Sequence, residues 1–140
     1  MVSPFNRIQS DDRSRQSIDF TVTIQDRQKL GSLEDKWFAF GLNGMAGMGG
    51  ADLVILWKDV VDTSLGNKNS VWMLEDRFAN EDFTSVMDSK PVMDKLQNYE
   101  LLQIHDAPNK ALEFLFRREL NTCDVMDQRI RPEEELFCFY

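Results

Sequence analysis

The 140-residue sequence has few of the residues and segments that mark several large classes of protein. It contains a single histidine, which argues against a redox copper centre in this chain, because catalytic zinc and copper sites draw on two or three imidazoles. It has no apolar run long enough to span a membrane and no stretch like a signal peptide at its start. Basic residues are in the minority, and the net charge of -8 disfavours nucleic acids and anionic membranes as partners.

Cysteine is also scarce, and the two that occur, Cys123 and Cys138, do not have the spacing of a zinc motif. Three states are open for them: a disulfide, two free thiols, or pairing with cysteines outside this chain. The sequence contains no acceptor motif for N-linked glycosylation, so glycosylation does not indicate the cellular compartment.

The residues that are present predict one β-rich domain. Hydrophobic residues make up 42% and charged residues 29%, a balance typical of a globular protein. Residues 1–17 are polar without an apolar period, so we expect a flexible N-terminal segment followed by a folded domain over residues 18–140.

Strand patterns recur along that domain with turn residues between them. In residues 18–24, for example, apolar and polar side chains alternate, which puts the apolar ones on one face of a strand. A turn of helix is expected only around Val92 to Leu96. The pattern predicts an all-β fold, an antiparallel Ig-like β-sandwich. The predicted strands cover residues 18–24, 36–42, 52–57, 71–76, 99–105, 111–117 and 135–140.

Carboxylates are the most numerous candidates for binding chemistry. Several lie at or near predicted strand ends, where they could converge on a hard cation such as calcium, although on spacing alone a solvated acidic surface is the simpler explanation. They are Asp52, Glu75, Asp76, Asp88, Asp94, Asp106, Asp124 and Asp127.

Two other patterns suggest ligands of a different kind. A methionine in the glycine-rich stretch before Asp52 could bind heme iron through its thioether, but methionine more often fills gaps in a core. Trp37, Trp57 and Trp72 could form a carbohydrate platform, although tryptophan is also more often a core residue.

Two stretches carry a resemblance to a known family. GGADLVILW, residues 49–57, runs from Asp-Leu into an apolar strand closed by Trp. In LEFLFRRELNTCDVMDQRI, residues 112–130, a strand with Leu115, Phe116, Arg117 and Arg118 precedes Thr-Cys-Asp-x-x-Asp. Between them lies a Tyr-x-Leu-Leu-Gln strand that begins at Tyr99. In order and spacing, residues 18–140 resemble a DOMON domain, specifically the N-terminal one of the copper type II monooxygenases, the dopamine beta-hydroxylase family.

The resemblance implies a domain that binds a ligand or a partner and catalyses nothing by itself. Its partners would be the copper monooxygenase catalytic domains of a longer parent protein or a second copy of the domain, and its ligand a small molecule or sugar. A secreted or secretory setting is implied as well, although this chain shows no signal peptide. The alternatives are an electron-transfer cytochrome domain with b-type heme and a carbohydrate-binding module.

The resemblance also implies site residues. A hard cation would be held by the Asp52 carboxylate, the Leu53 carbonyl, a backbone carbonyl near Arg77, and Asn98. Asn98 stands where a carboxylate is expected, which lowers the affinity for a hard cation.

For heme, Met48 matches the methionine ligand of related cytochromes, but the usual histidine position near the end of the domain has no counterpart. His105, which would have to replace it, comes from an earlier strand. Cys123 matches a cysteine that faces the catalytic region in the hydroxylases, which leaves it free or paired with Cys138.

Overall fold

The computed structural model describes residues 16–80, 91–131 and 133–139. The predicted alternation of apolar and polar residues produces strands over most of this length. The elements in chain order are β1 (Ser17–Gln25), a short 3-10 helix (Arg27–Leu30), β2 (Trp37–Asn43), β3 (Asp52–Asp62), β4 (Lys68–Phe78), β5 (Val92–Met93), β6 (Tyr99–Asp106), β7 (Ala111–Glu119) and β8 (Phe137–Phe139).

The strands form two antiparallel sheets, each in its own compact unit of the chain. The first unit comprises residues up to Gly31, Asn98–Asp124 and Arg129–Pro132, and the second comprises Ser32–Gln97, Val125–Gln128 and Glu133–Tyr140. An all-β fold with two antiparallel sheets, the components of a β-sandwich, is therefore confirmed.

The sheet of the first unit has the strand order β1-β7-β6. Along β7, every second residue is buried, so its apolar face is set by the period of two that the sequence shows. Phe116 lies at the centre of this face: its ring stacks on Phe20 at 5.3 Å between centroids and meets the edge of Tyr99 at 5.8 Å. Such aromatic cross-strand pairs fix the register of the three strands.

The sheet of the second unit has the order β5-β4-β3-β2-β8. Its centre is the hairpin of β3 and β4, which pair from Asp52 opposite Phe78 to Asp62 opposite Lys68. This hairpin is longer than predicted, because much of the stretch expected to be a loop after Trp57 continues both strands. The turn is confined to the residues around Gly66, whose φ of 75° lies in the left-handed region that glycine adopts without strain.

One local prediction is wrong. The expected helical turn around Val92 to Leu96 is not found: Val92 and Met93 form β5, which pairs with Phe78 and Arg77 of β4. Pro91 immediately precedes this strand, and the extended backbone of β5 gives its peptide groups partners on β4.

The predicted domain boundaries stay a prediction. β1 begins at Ser17, one residue inside the segment that we expected to be flexible, and the first fifteen residues lie outside the described ranges. The final strand is shorter than predicted and covers Phe137–Phe139. In the described ranges, no helix combines the length and the hydrophobicity needed to span a bilayer.

Candidate functional site

The glycine-rich segment between β2 and β3 is held in place by Asn43, the last residue of β2. Asn43 is buried, and its Nδ2 donates to the carbonyl oxygens of Gly47 and Gly49, both at 2.9 Å. Gly50 has a φ of 75°, and its N–H donates to the carbonyl oxygen of Ala79 at 3.0 Å. The glycines therefore form a tight loop that delivers the chain to Asp52 at the start of β3.

Three carboxylates meet at this point in the second unit: one oxygen each from Asp52, Asp76 and Asp127 lie within 4.8 Å of one another. Asp52 and Asp76 are almost completely buried, at 1% and 0% exposure. They point to the same face of the sheet because Asp76 pairs with Val54, two residues along β3 from Asp52. Asp127 comes from the distant segment Val125–Gln128.

Gln128 attaches that segment to the sheet at two points. Its backbone N–H donates to Oδ2 of Asp52 at 3.0 Å, and its Oε1 accepts a hydrogen bond from the N–H of Gly44 at 3.2 Å. The position of Asp127 beside Asp52 thus depends on contacts between residues more than 70 positions apart in sequence.

A fourth carboxylate extends the acidic cluster. An oxygen of Asp94 lies within 4.8 Å of an oxygen of Asp127, and Asp94 is 6% exposed. Its Oδ1 accepts the N–H of Leu96 at 3.3 Å, whereas its Oδ2 is buried and accepts no hydrogen bond from the described residues. A buried carboxylate oxygen without a donor is costly, and a bound cation would satisfy it.

The Gln97 side chain forms hydrogen bonds with the backbones of Asp76 and Asp94. Its Nε2 donates to the carbonyl oxygens of Asp76 at 3.0 Å and Asp94 at 2.9 Å, and its Oε1 accepts the N–H of Asp76 at 2.8 Å. The backbones that carry two of the clustered aspartates are therefore fixed to each other by one side chain.

Of the cation ligands implied by the resemblance, only Asp52 belongs to this acidic cluster. Leu53 pairs with Arg77 across β3 and β4. The Leu53 side chain is buried in an apolar cluster with Ala51 and Ala79. Asn98 lies in the first unit, directly before β6.

The ligand set taken from the resemblance left out Asp76, Asp94 and Asp127, although all three belong to the strand-end carboxylates named from the sequence. Four carboxylates of that group remain. Glu75 pairs with Arg77, Asp106 pairs with Arg27 at 2.6 Å, Asp124 belongs to the first unit, and Asp88 lies outside the described residues.

The two heme-ligand candidates belong to different units of the chain. Met48 is partly buried and packs against the cluster of Ala51, Leu53 and Ala79, which is the gap-filling role usual for methionine. His105 is exposed near the end of β6, opposite Glu113 of β7. Nothing in these contacts tests heme binding, which stays a prediction.

Both cysteines are free thiols and both are exposed, so of the three states left open by the sequence the intramolecular disulfide is not formed. Cys123 adopts a left-handed backbone conformation with φ of 60°. Although Cys138 is exposed as a residue, partial desolvation of its thiol raises its pKa.

The three tryptophans do not form one platform. Trp37 pairs directly with Trp57 across β2 and β3, so their side chains share one face of the second sheet. Trp72 pairs with Lys58, the neighbour of Trp57, and therefore points to the opposite face. There it lies 6.2 Å from the ring of Phe38, with the Lys58 ammonium 5.8 Å from its centroid.

A comparison with protein-family models matches residues 13–140 to the DOMON domain. Domains of this family are ligand-binding or electron-transfer modules that are in general non-catalytic, and they occur in extracellular or secretory proteins. The match covers nearly the whole sequence and agrees with the two antiparallel sheets. The chain therefore belongs to the DOMON domain family.

Proposed function

We propose that this DOMON domain is a non-catalytic ligand-binding and interaction module that holds a hard divalent cation, with Ca²⁺ as the first candidate. Asp52, Asp76 and Asp127 would be the ligands. The observation that supports this proposal is the approach of their oxygens to within 4.8 Å of one another, with two of the three side chains fully buried.

The chemistry of the donor set fits such an ion. All three ligands are carboxylates, and hard cations such as Ca²⁺ and Mg²⁺ prefer oxygen. Like charges at this separation repel, and a divalent cation converts the repulsion into attraction at each oxygen. Asp94 supplies a further oxygen next to Asp127, and Ca²⁺ accommodates the six to eight irregularly placed ligands that would include water and backbone carbonyls.

The cation would have a structural role. It would tie the segment Val125–Gln128 to the β3-β4 hairpin, because Asp127 belongs to the segment and Asp52 and Asp76 belong to the hairpin. Calcium sites in extracellular modules are typically weak, with dissociation constants of about 0.1 to 1 mM, and they fill where calcium is abundant. This agrees with the extracellular or secretory proteins in which DOMON domains occur.

The resemblance to the dopamine beta-hydroxylase family suggests partners for the module. We propose that it packs against the copper monooxygenase domains of a longer parent protein or against a second copy of itself. Any hydroxylation would be carried out by those copper domains, and this domain would contribute binding and rigidity.

Thermal unfolding of the purified domain tests the cation. A ligand that binds only the folded state at a hundredfold excess over its dissociation constant stabilises it by about 2.7 kcal/mol. For a chain of this size, that free energy corresponds to a rise in Tm of roughly 8 °C in calcium compared with chelator. Magnesium in place of calcium measures the selectivity.

The matched variants are Asp127→Asn and Asp62→Asn. Asp127→Asn removes one ligand, so the difference in Tm between calcium and chelator should fall by more than half. Asp62 is exposed at the far end of β3, and its variant should keep the full difference. An identical melt of the unmodified domain in calcium and in chelator would overturn the proposal, as would equal losses in the two variants.

A further inference from the structure

The far half of the long hairpin leaves one edge of the second sheet open. β2 pairs with β3 only as far as Trp57, whereas β4 pairs with β3 as far as Asp62. Among the described residues, therefore, no strand pairs with residues 58–62 on the side away from β4. Residues 59–62 are also exposed. An open edge of this kind is a template for a further strand.

The pairing of β3 with β4 determines which backbone groups face the open edge. Asp76 of β4 uses both its N–H and its C=O for hydrogen bonds to Gln97, so it forms a pair without ladder hydrogen bonds with Val54 of β3. Such pairs alternate with hydrogen-bonded ones, and the register continues unbroken to the end of both strands. Alternate residues of β3 therefore direct their N–H and C=O groups away from β4. Beyond Trp57 these are Lys58, Val60 and Asp62.

This edge is preorganised within the single chain. The N–H of Val60 donates to Oδ1 of the adjacent Asp59 at 2.9 Å, a local bond that satisfies the amide while the edge is open. At the end of the hairpin, the N–H and Oγ1 of Thr63 both donate to the carbonyl oxygen of Asn67, at 2.9 and 2.8 Å. The strand is thus extended before a partner binds, which reduces the entropy lost on association.

We propose that this edge pairs with the same edge of a second copy of the chain, in an antiparallel and two-fold symmetric arrangement centred on Val60. The inference rests on the interaction role proposed above and names its partner. When Val60 lies opposite Val60 of the second copy, Lys58 of each copy lies opposite Asp62 of the other. Each of these facing pairs exchanges two backbone hydrogen bonds. Symmetry repeats the attraction between the opposite charges.

The side chains select this register. A shift of the second copy by two residues in one direction places Asp59 opposite Asp59, so that like charges face each other. The shift in the other direction places Val60 opposite Asp62 and removes both charge pairs. The segment is therefore self-complementary about one centre, which favours a second copy over an unrelated strand. Two short strands bury less than about 1,200 Å², an area typical of weak and transient association.

Sedimentation velocity of the full chain, from micromolar to millimolar concentration in reducing agent, tests the dimer without interference from the free thiols. The unmodified chain should sediment as a monomer when dilute and increasingly as a dimer when concentrated. Lys58→Glu and Asp62→Lys should each weaken dimerisation by about tenfold or more, because each change creates two like-charge pairs. An equimolar mixture of the two variants should dimerise again, because each reversed charge then faces its opposite on the other chain.

The matched control is Lys110→Glu, which changes the net charge as Lys58→Glu does, on an exposed residue between β6 and β7. This control should leave dimerisation unchanged, and circular dichroism shows whether each variant is folded. Three results would overturn the proposal: the unmodified chain is a monomer at every concentration, Lys110→Glu weakens the dimer as much as Lys58→Glu, or the mixture of charge variants stays monomeric.

The dimer and the cation can fail separately. Asp127→Asn should lose the stabilisation by calcium and keep the dimer. Asp62→Asn should keep the stabilisation by calcium and dimerise more weakly, and the thermal unfolding is measured on dilute, monomeric samples. A dimer that disappears in chelator or in Asp127→Asn would contradict an origin at the edge of β3.

Discussion

Replacement of Asn43 by aspartate should destabilise the domain far more than so small a change would suggest. The two side chains have the same shape, but the variant exchanges the Nδ2 donor for an oxygen. Nδ2 donates to the carbonyl oxygens of Gly47 and Gly49, so both hydrogen bonds would be lost and a carboxylate oxygen would face two carbonyls. The side chain is 5% exposed, so water cannot replace the lost donor.

The expected magnitude follows from these contacts. Each neutral hydrogen bond contributes about 1 kcal/mol net, and a buried polar group left without a partner adds about 1 to 3 kcal/mol. Together they give a loss of roughly 3 to 5 kcal/mol in the free energy of unfolding, or about 9 to 15 °C in Tm for a domain of this size. Guanidinium unfolding followed by circular dichroism measures the free energy directly, with an unchanged slope as the sign of two-state behaviour.

The pH dependence of the free energy of unfolding provides a second test of the Asn43→Asp variant. Burial beside two carbonyls should raise the pKa of the introduced carboxyl in the folded state above its value in the unfolded chain. The penalty is then complete at pH values above the folded pKa and shrinks as the pH falls through it, because the protonated group regains one donor.

The matched control carries the same chemical change on an exposed residue. Asn69 lies on β4 near the turn of the long hairpin, and Asn69→Asp alters the net charge equally. The reasoning is refuted if Asn43→Asp loses no more stability than Asn69→Asp, or if the loss grows as the pH falls.

Two further predictions concern backbone conformation and thiol chemistry. Gly50→Ala should cost about 1 to 2 kcal/mol because the φ of 75° at this position is left-handed, even though the space around it is open. Gly44→Ala should stay within about 0.5 kcal/mol, since φ there is not left-handed and the added methyl makes ordinary contact with Gln128; equal effects in the two denaturation curves would contradict this. With Cys123→Ser as the background, Cys138 should be alkylated by iodoacetamide more slowly at neutral pH than a thiol in a short peptide, because desolvation raises its pKa. The alkylation rate of Cys138 is measured as a function of pH. A midpoint at or below the midpoint for the peptide thiol would contradict this prediction.

Local patterns were sufficient to predict most of the strands. The alternation in β1 and β7 and the nearly continuous apolar run at the start of β3 are signals that lie within one short segment. The extension of β3 and β4 was missed because its residues are mostly exposed and polar: hydrogen bonds to the partner strand hold them, and a single sequence does not display such bonds. β5 does not follow from the sequence either, because two residues carry no period and only their pairing with Arg77 and Phe78 defines the strand.

The convergence of the acidic cluster is only partly predictable from the sequence. Asp52, Asp76 and Asp127 are all among the strand-end carboxylates that the sequence offers, but the resemblance singles out only Asp52. Asp76 would have followed from the register of the β3-β4 hairpin, because it lies diagonally across from Asp52 on the same face. Asp127 is brought in by a segment whose attachment depends on Gln128, and a contact over 76 positions leaves no local trace in the sequence.

The register of one hairpin determines which face of the sheet carries the acidic cluster. On β3, Asp52 points to one face of the sheet and Ile55 to the other, and on β4 the same holds for Asp76 and Glu75, because side chains alternate along a strand. The acidic cluster and the ion pair of Glu75 with Arg77 therefore share the hairpin but lie on opposite faces of the sheet. A slip of one residue on either strand would move a carboxylate of the cluster to the opposite face. The pairing over eleven residues of each strand, well beyond what the cluster needs, strongly opposes such a slip.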